Sequence, residues 1–467
     1  MSAVLPNRRV LAAAIAAALL PVAGQAEPTN EELLQKIEEL SQKVLVLERK
    51  LEVQDETAKT AVASTPVVKA SPKGFSIASA DSKNQVKLRG VVHVDGRFFA
   101  DDDPEGLKDT WQATRVRPII EGTLGGIYDF RFTPDFGQGR TVIQDAYVTA
   151  RFRPEAQVTV GKFKSPVGLE RIQSASDIRM VARGYPTQLA PNRDLGVQLG
   201  GAFGGDHLSY QLAYLNGSND GGSSETFTDV DVNDDKEWAA RLFAHPFSDS
   251  DNFALRGLGL GIAGTYTSQT GTTAQPLLAV ARTPSQSTFF RYRTGATATI
   301  ADGERTRIAP QFYYYVGPFG LMGEYTKVTQ DVSRTTSAGR REDTLDTTAW
   351  QAQASWFLTG EEESFKGFKP NNVFSLDDNT WGAFELVARY QEFDPDDDAF
   401  VGGAASFADP AGNARKAATY GLGLNWYLNE NLKWVLNYEH TNFDGGAASG
   451  ADRADEDVFL TRFGLTF

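Results

Sequence analysis

Two periodicities divide the chain. Leu33, Ile37, Leu40, Val44, Leu47 and Leu51 recur at alternating spacings of four and three, an a/d seam set among Glu and Lys. This predicts a coiled-coil helix over 27–52 that self-associates, because so short a helix rarely persists alone. Residues 53–74 shift to Ala, Thr, Ser, Pro and Lys and read as a flexible linker. From 75 onward the period falls to two: Lys87, Arg89, His93, Asp95 and Arg97 alternate with Val86, Leu88, Val92, Val94 and Phe98. One face of such a strand is polar and the other apolar. In a soluble sandwich the apolar face is the core; in a membrane barrel it meets lipid.

The connections separate these two cases. Strands are expected near 86–100, 111–124, 127–136, 142–153, 156–164, 194–204, 207–216 and 235–246. The rest fall near 257–268, 304–317, 319–331, 345–358, 380–394, 414–428, 431–443 and 456–467. Very short turns such as Gly125-Gly126 and Asn429-Glu430 alternate with long polar connections, among them 101–110, 165–193, 269–303, 332–344 and 395–413. That alternation predicts an all-β fold, a sixteen-stranded antiparallel transmembrane β-barrel over 75–467. An even count puts both barrel ends on the periplasmic side, and the coiled-coil helix with them. Phe459, Phe463, Leu465 and the terminal Phe467 alternate on the last strand, as a lipid-facing closing strand requires. Tyr313 to Tyr315, Trp356, Phe357, Trp426, Tyr427, Trp434 and Tyr438 near strand ends read as interface aromatics.

Residues 1–26 have the form of a secretory leader: Arg8 and Arg9, an apolar run from Val10 to Leu20, then small residues to Ala26. The whole chain has net charge -14, which argues against nucleic acid as a partner. It has no cysteine, so thiolate metal sites and cysteine nucleophiles are excluded, and no metal or cofactor is expected. Gly259-Leu260-Gly261-Ile262-Ala263-Gly264 matches GxGxxG but lies inside an expected strand with no following helix. His440 has no nucleophile motif beside it. No catalytic residue is assigned, and the chain is not expected to be an enzyme. Acidic clusters at 101–103, 229–235, 394–398 and 452–457 read as solvated outer loops.

At Asp145-Ala146-Tyr147-Val148, Val160-Gly161-Lys162-Phe163-Lys164-Ser165-Pro166-Val167-Gly168-Leu169-Glu170, Ser355-Trp356-Phe357-Leu358-Thr359-Gly360-Glu361-Glu362 and Leu424-Asn425-Trp426-Tyr427-Leu428-Asn429, the sequence resembles the phosphate-selective porin O and P family of bacterial outer membranes. The resemblance implies a homotrimer of sixteen-stranded barrels in the outer membrane, among lipid and lipopolysaccharide. It also implies an inward-folded third outer loop that narrows the channel; here the loop is 165–193.

That loop carries Arg171, Arg179, Arg183 and Arg193, and strand alternation puts Arg89, Arg97, Arg115, Arg117, Arg131 and Arg151 on polar faces of the first four strands. Arg305 and Arg307 extend the set. A guanidinium stays charged and grips phosphate or carboxylate through parallel donors, and rings of Arg or Lys select anions. The same faces carry Asp95, Glu121, Asp129, Asp135 and Asp145, so the arginines read equally as an anion track or as bracing pairs. The loop departs from the family in having no lysine between Ser165 and Arg193, which bears on tight phosphate specificity. The expected function is passive diffusion of small anions such as phosphate through an arginine-lined channel. A general or differently selective porin, an envelope-tethering barrel and an outer-membrane lipid hydrolase remain as alternatives.

Overall fold

Alternating side chains close into a ring when each strand pairs with its sequence neighbour and the last returns to the first. The computed structural model describes residues 29–100, 108–223, 234–367 and 369–467, the side chains of 55–64 excepted. The expected leader, the acids at 101–103 and Asp229 and Asp231 of the 229–235 cluster lie outside them. The chain divides into two units, 1–65 and 66–467.

In the first, a helix runs Asn30–Ser64. It passes the expected end at residue 52 because no Pro or Gly interrupts 53–64. The a/d residues Leu33 to Leu51 are exposed on the single chain. Glu39–Lys43 and Arg49–Glu52 pair along its surface.

The second unit opens with a hairpin, Val67–Ser71 against Gly74–Ala78, where a flexible linker was expected. Val67 and Val68 favour extended backbone, and Pro72-Lys73-Gly74 turns it. The barrel follows in sixteen strands. These are β1 (Gln85–Phe99), β2 (Thr110–Leu124), β3 (Tyr128–Asp135), β4 (Val142–Arg153), β5 (Ala156–Lys164), β6 (Arg193–Phe203), β7 (Leu208–Leu215) and β8 (Glu237–Ala244). Then come β9 (Leu258–Thr270), β10 (Thr299–Val316), β11 (Phe319–Thr336), β12 (Gly339–Phe357), β13 (Ala383–Asp394), β14 (Ala414–Tyr427), β15 (Leu432–Gly445) and β16 (Glu456–Thr466). Every consecutive pair is antiparallel, and β16 closes on β1 from Val458↔Phe99 to Thr466↔Val91. At the seam Gly90 and Phe467 exchange backbone hydrogen bonds of 2.8 and 3.0 Å. A side chain at Gly90 would strike the Phe467 ring.

One connection departs from expectation. Residues 332–344 are not a loop: β11 and β12 continue through them and turn at Ser337-Ala338. Thr and Val sustain a strand although the segment is polar, so polarity alone misplaced the boundary.

The barrel is polar inside and apolar outside. Leu199, Leu260, Leu422 and Phe463 are exposed on the outer face, while Glu237, Arg305, Gln351 and Glu439 are buried within. Among the expected interface aromatics, Trp356 and Tyr438 are exposed and Trp434 is half-buried, but Phe357 is buried and Tyr427 donates to Glu385 inside. The connection between β9 and β10 forms a small hairpin, Val280–Arg282 with Thr288–Arg291. Its Phe289 and Phe290 join Phe400 and Phe407 of the β13–β14 connection in one apolar cluster. Val332, Leu345, Phe393 and Phe443 of the wall belong to it too, so the outer mouth is filled on the β11–β15 side.

Candidate functional site

The connection between β5 and β6, 165–193, folds into the barrel. Its apolar residues Val167, Leu169, Ile178, Met180, Tyr185 and Leu189 are all buried, which an outer surface loop could not achieve. Its backbone is sewn to the β11–β15 wall. Leu169 N donates to Glu324 at 2.5 Å, Val181 N to Asn437 at 2.7 Å and Tyr185 N to Gln391 at 2.8 Å. Asn425 and Arg389 return bonds to the carbonyls of Arg179 and Ala182. Met180 lies over Gly421 and Gly423: a Cβ at Gly421 would stand 2.8 Å from its Cε and one at Gly423 3.1 Å from its Sδ. The docked loop leaves its channel-facing side toward β1–β5 and β16.

On that side cations converge. Arg183 donates to the carbonyls of Glu170 and Gln173 at 3.0 and 2.8 Å. Lys164 donates to the carbonyls of Ile172 and Gln173 at 3.1 and 2.7 Å. Arg171 donates to the Thr187 carbonyl. Arg115 stands 3.1 Å from His93 Nδ1. None of these four forms an ion pair with a described carboxylate, whereas the neighbouring Arg117, Arg193 and Arg462 pair with Asp135, Asp145 and Asp95 at 2.7–2.9 Å. Arg171 Nε and His93 Nε2 are buried without a hydrogen-bond partner among the described residues. Burial first, and then Arg183 and Arg193 nearby, pull the Arg171 pKa down to about 9. Burial likewise pulls Arg183 down to about 10, with Arg193, Arg117 and Arg462 adding to it against Glu170. A site with this excess of fixed positive charge is stabilised by an anion.

The other expected residues scatter. Arg179 turns away into a pocket between Glu363 and Glu385, 2.7 Å from the latter, and also donates to the Ser364 carbonyl at 2.8 Å. It belongs to the loop's anchorage, not to the cationic cluster. Arg89 and Arg131 share Glu121 at 3.2 and 3.3 Å nearer the periplasmic end. Arg151 pairs with Asp129 at 2.7 Å and is 43% exposed. Arg97 faces inward in phase with Asp95, whose charge acts on it. Arg305 and Arg307 are neutralised by Glu237 and Asp220.

Lys164, His93, Arg462 and Lys433 were missed. Lys164 stands one residue before the loop whose lack of lysine was noted. Arg462 lies in phase with Val458 and Leu460, opposite the lipid-facing Phe459 and Phe463, a signal that strand alternation already contained. Lys433 donates to the Ser176 and Ile178 carbonyls at 2.6 and 3.0 Å, holding the loop tip.

A closed barrel with a polar lumen narrowed by an inward loop is the architecture of an outer-membrane porin. The family described as phosphate-selective porin O and P matches residues 86–467, and the chain belongs to that family. Porin O of Pseudomonas aeruginosa is 29% identical over 154 residues, 32% of this chain and 33% of that protein. The match therefore spans about a third of the curated relative. The outer membrane channel DcaP of Acinetobacter baumannii superposes with a TM-score of 0.53 at 12% identity, over 84% of this chain and 99% of its own. That likeness is one of fold. Family and fold together define a pore-forming barrel of the outer membrane and point to a channel rather than an enzyme.

Proposed function

We propose that this porin is an anion-preferring diffusion channel whose narrowest part is built from Arg115, Arg171, Arg183 and Lys164. The observation that carries the reading is that these half-buried cations are held by carbonyls and an imidazole while their neighbours have carboxylates. Carbonyls fix their position without cancelling their charge, which is what a track for a passing anion needs: attraction to enter, and weak enough contacts to leave. Small oxyanions such as phosphate suit the parallel donors of a guanidinium. The full assembly is a homotrimer seated in lipid and lipopolysaccharide, with the heptad seam of Asn30–Ser64 closing against its copies, and 1–26 is the leader removed on export.

Planar bilayers holding the protein test this. In a KCl gradient the reversal potential is expected on the anion side, and phosphate titrated into the bath should block chloride current. A reversal potential at or beyond zero toward the cation side, without block, would mean a general porin whose paired arginines dominate its lumen.

A further inference from the structure

The connection between β12 and β13 has two halves in different surroundings. The first, 361–367, is turned toward the lumen, and its Glu361 and Glu363 are buried. Glu363 pairs with Arg179 of the inward loop, and its backbone N donates to the Gly317 carbonyl at 2.8 Å. Gln173 of the same loop donates to the Phe365 carbonyl at 2.9 Å, and the Phe365 ring stacks on Tyr313 of β10, centroids 5.1 Å apart. The second half is a hairpin in which Phe374 pairs with Trp381 and Ser375 with Thr380. Asn371 N donates to the Glu361 carboxylate at 3.1 Å, which ties the second half to the first.

The hairpin packs on the outer face of the barrel. Phe384 of β13, Trp426 of β14, Trp434 of β15 and Phe463 of β16 form a row of outward-facing rings at the periplasmic strand ends, successive centroids 5.0–6.3 Å apart. A barrel keeps its interface aromatics at that level. Phe374 stands edge-on to Trp426 at 5.4 Å, Trp381 lies 6.5 Å from it, and Trp426 Nε1 donates to the Trp381 carbonyl at 2.6 Å. These contacts extend the row by one layer toward the periplasm. Trp381, Val373 and the tip residue Leu376 are nevertheless 54%, 53% and 77% exposed. The tip is held in shape: Ser375 Oγ donates to Asp378 at 2.9 Å and accepts from Asp378 N at 3.2 Å, and Thr380 donates to the Val373 carbonyl at 2.6 Å. A two-stranded hairpin is marginal in water, and uncovered Leu and Trp side chains make it more so. The row that it continues lies in lipid, and Trp settles at the headgroup level of a bilayer.

We propose that the hairpin Phe374–Trp381 is an anchor seated in the phospholipid of the periplasmic leaflet, and that it steadies the inward loop through Glu361, Glu363 and Arg179. The partner is the lipid itself, met by Val373, Leu376 and Trp381. The same connection thus touches the membrane at one end and the loop that narrows the channel at the other. A hairpin released into water would leave 361–367 held from the lumen side alone, and the loop would fluctuate more. This inference is independent of which ion the channel prefers.

The chain has no cysteine, so Leu376→Cys gives a single addressable thiol, and Glu155→Cys in the exposed β4–β5 turn gives a periplasmic reference. Each full-length variant is labelled with bimane and reconstituted in vesicles of phosphatidylethanolamine and phosphatidylglycerol. Bimane at 376 should be quenched roughly 3–10-fold more by a nitroxide near the lipid carbonyls than by aqueous iodide, the behaviour of a side chain buried at the headgroup boundary. The reference should show the reverse order. Quenching at 376 by iodide alone, or by neither quencher, would put the tip in water or against another chain and overturn the proposal. The role in steadying the loop is read from single-channel currents in planar bilayers of the same lipids. Leu376→Asp should raise open-channel current variance at least about twofold, the signature of a locally loosened segment, whereas Leu376→Trp should stay at the native level. Leu376 is too exposed for either change to disturb packing within the barrel. Equal variance in the Asp, Trp and native channels would show that the hairpin does not steady the loop, and would overturn that half of the proposal even with the tip in lipid.

Discussion

Arginines on the two sides of the inward loop face opposite physical problems. Arg179 and Arg389, toward β11–β15, are buried with carboxylates: Arg179 between Glu363 and Glu385, and Arg389 on Glu439 at 3.0 Å. Arg171 and Arg183, a few residues from Arg179 on the same loop, are half-buried and held by carbonyls. The first arrangement cancels charge and fixes structure; the second fixes position and leaves charge available. Residue type is the same in both. What a lumenal arginine does is decided by whether a carboxylate or a carbonyl meets it: Glu363 and Glu385 from outside the loop meet Arg179, whereas the loop's own Thr187, Glu170 and Gln173 carbonyls meet Arg171 and Arg183.

Breaking the anchored side should have the largest effect. Arg179→Met leaves Glu363 and Glu385 facing each other without a counter-charge. Loss of one partner of a buried pair costs about 3–5 kcal/mol. We expect the loop to detach, seen as larger and noisier single-channel currents and as a lower midpoint in urea unfolding followed by tryptophan fluorescence. Adding Glu363→Gln and Glu385→Gln should recover most of the loss, because no bare charge then remains buried. Equal instability of the single and triple variants would show that packing, not charge, holds Arg179.

The cationic side should respond in the opposite sense. Arg115→Gln with Arg183→Gln removes mutually repelling charge, so unfolding should occur at the same or higher urea. Selectivity should instead suffer: two charges removed a few ångströms from a passing ion weaken its attraction by ~1 kcal/mol, about fivefold in the chloride-to-potassium permeability ratio. A pair whose stability falls while its selectivity holds would invert the assignment of the two sides.

This division explains what was legible in the sequence. Strand identity was, because lipid outside and water inside impose a period of two on every strand, and β1 shows it from Val86 to Phe98. Closure was, because the alternation of Phe459, Phe463 and Leu465 continues to Phe467. The inward course of 165–193 was marked by its place and by the resemblance, and its buried Leu169, Met180 and Tyr185 agree. Three things were hidden. The turn at Ser337-Ala338 was, because polar residues make strands as readily as loops once they leave the membrane. The Val67–Ala78 hairpin was, because its partner strand is contributed by β1. The fates of Arg171 and Arg179 were, because their partners lie about 15 and 185–205 residues away.

The smallest effect is expected at Arg151, and it is the control that keeps the comparison honest. Arg151 sits on the polar face of β4 with the same alternation as the lumenal set, but it is partly in solvent at the periplasmic rim, beside Asp129. Exposed pairs contribute about 0–1 kcal/mol, and salt screens them. Its guanidinium also donates to the Gly126 carbonyl at 3.1 Å, a turn contact rather than a channel contact. Arg151→Ala should therefore leave the reversal potential unchanged and shift the unfolding midpoint by no more than the scatter between preparations. A clear loss of anion preference at Arg151→Ala would mean that selectivity follows the number of lumenal cations wherever they stand. The distinction between paired and unpaired guanidiniums, on which the constriction is assigned to Arg115, Arg171, Arg183 and Lys164, would then carry no functional weight.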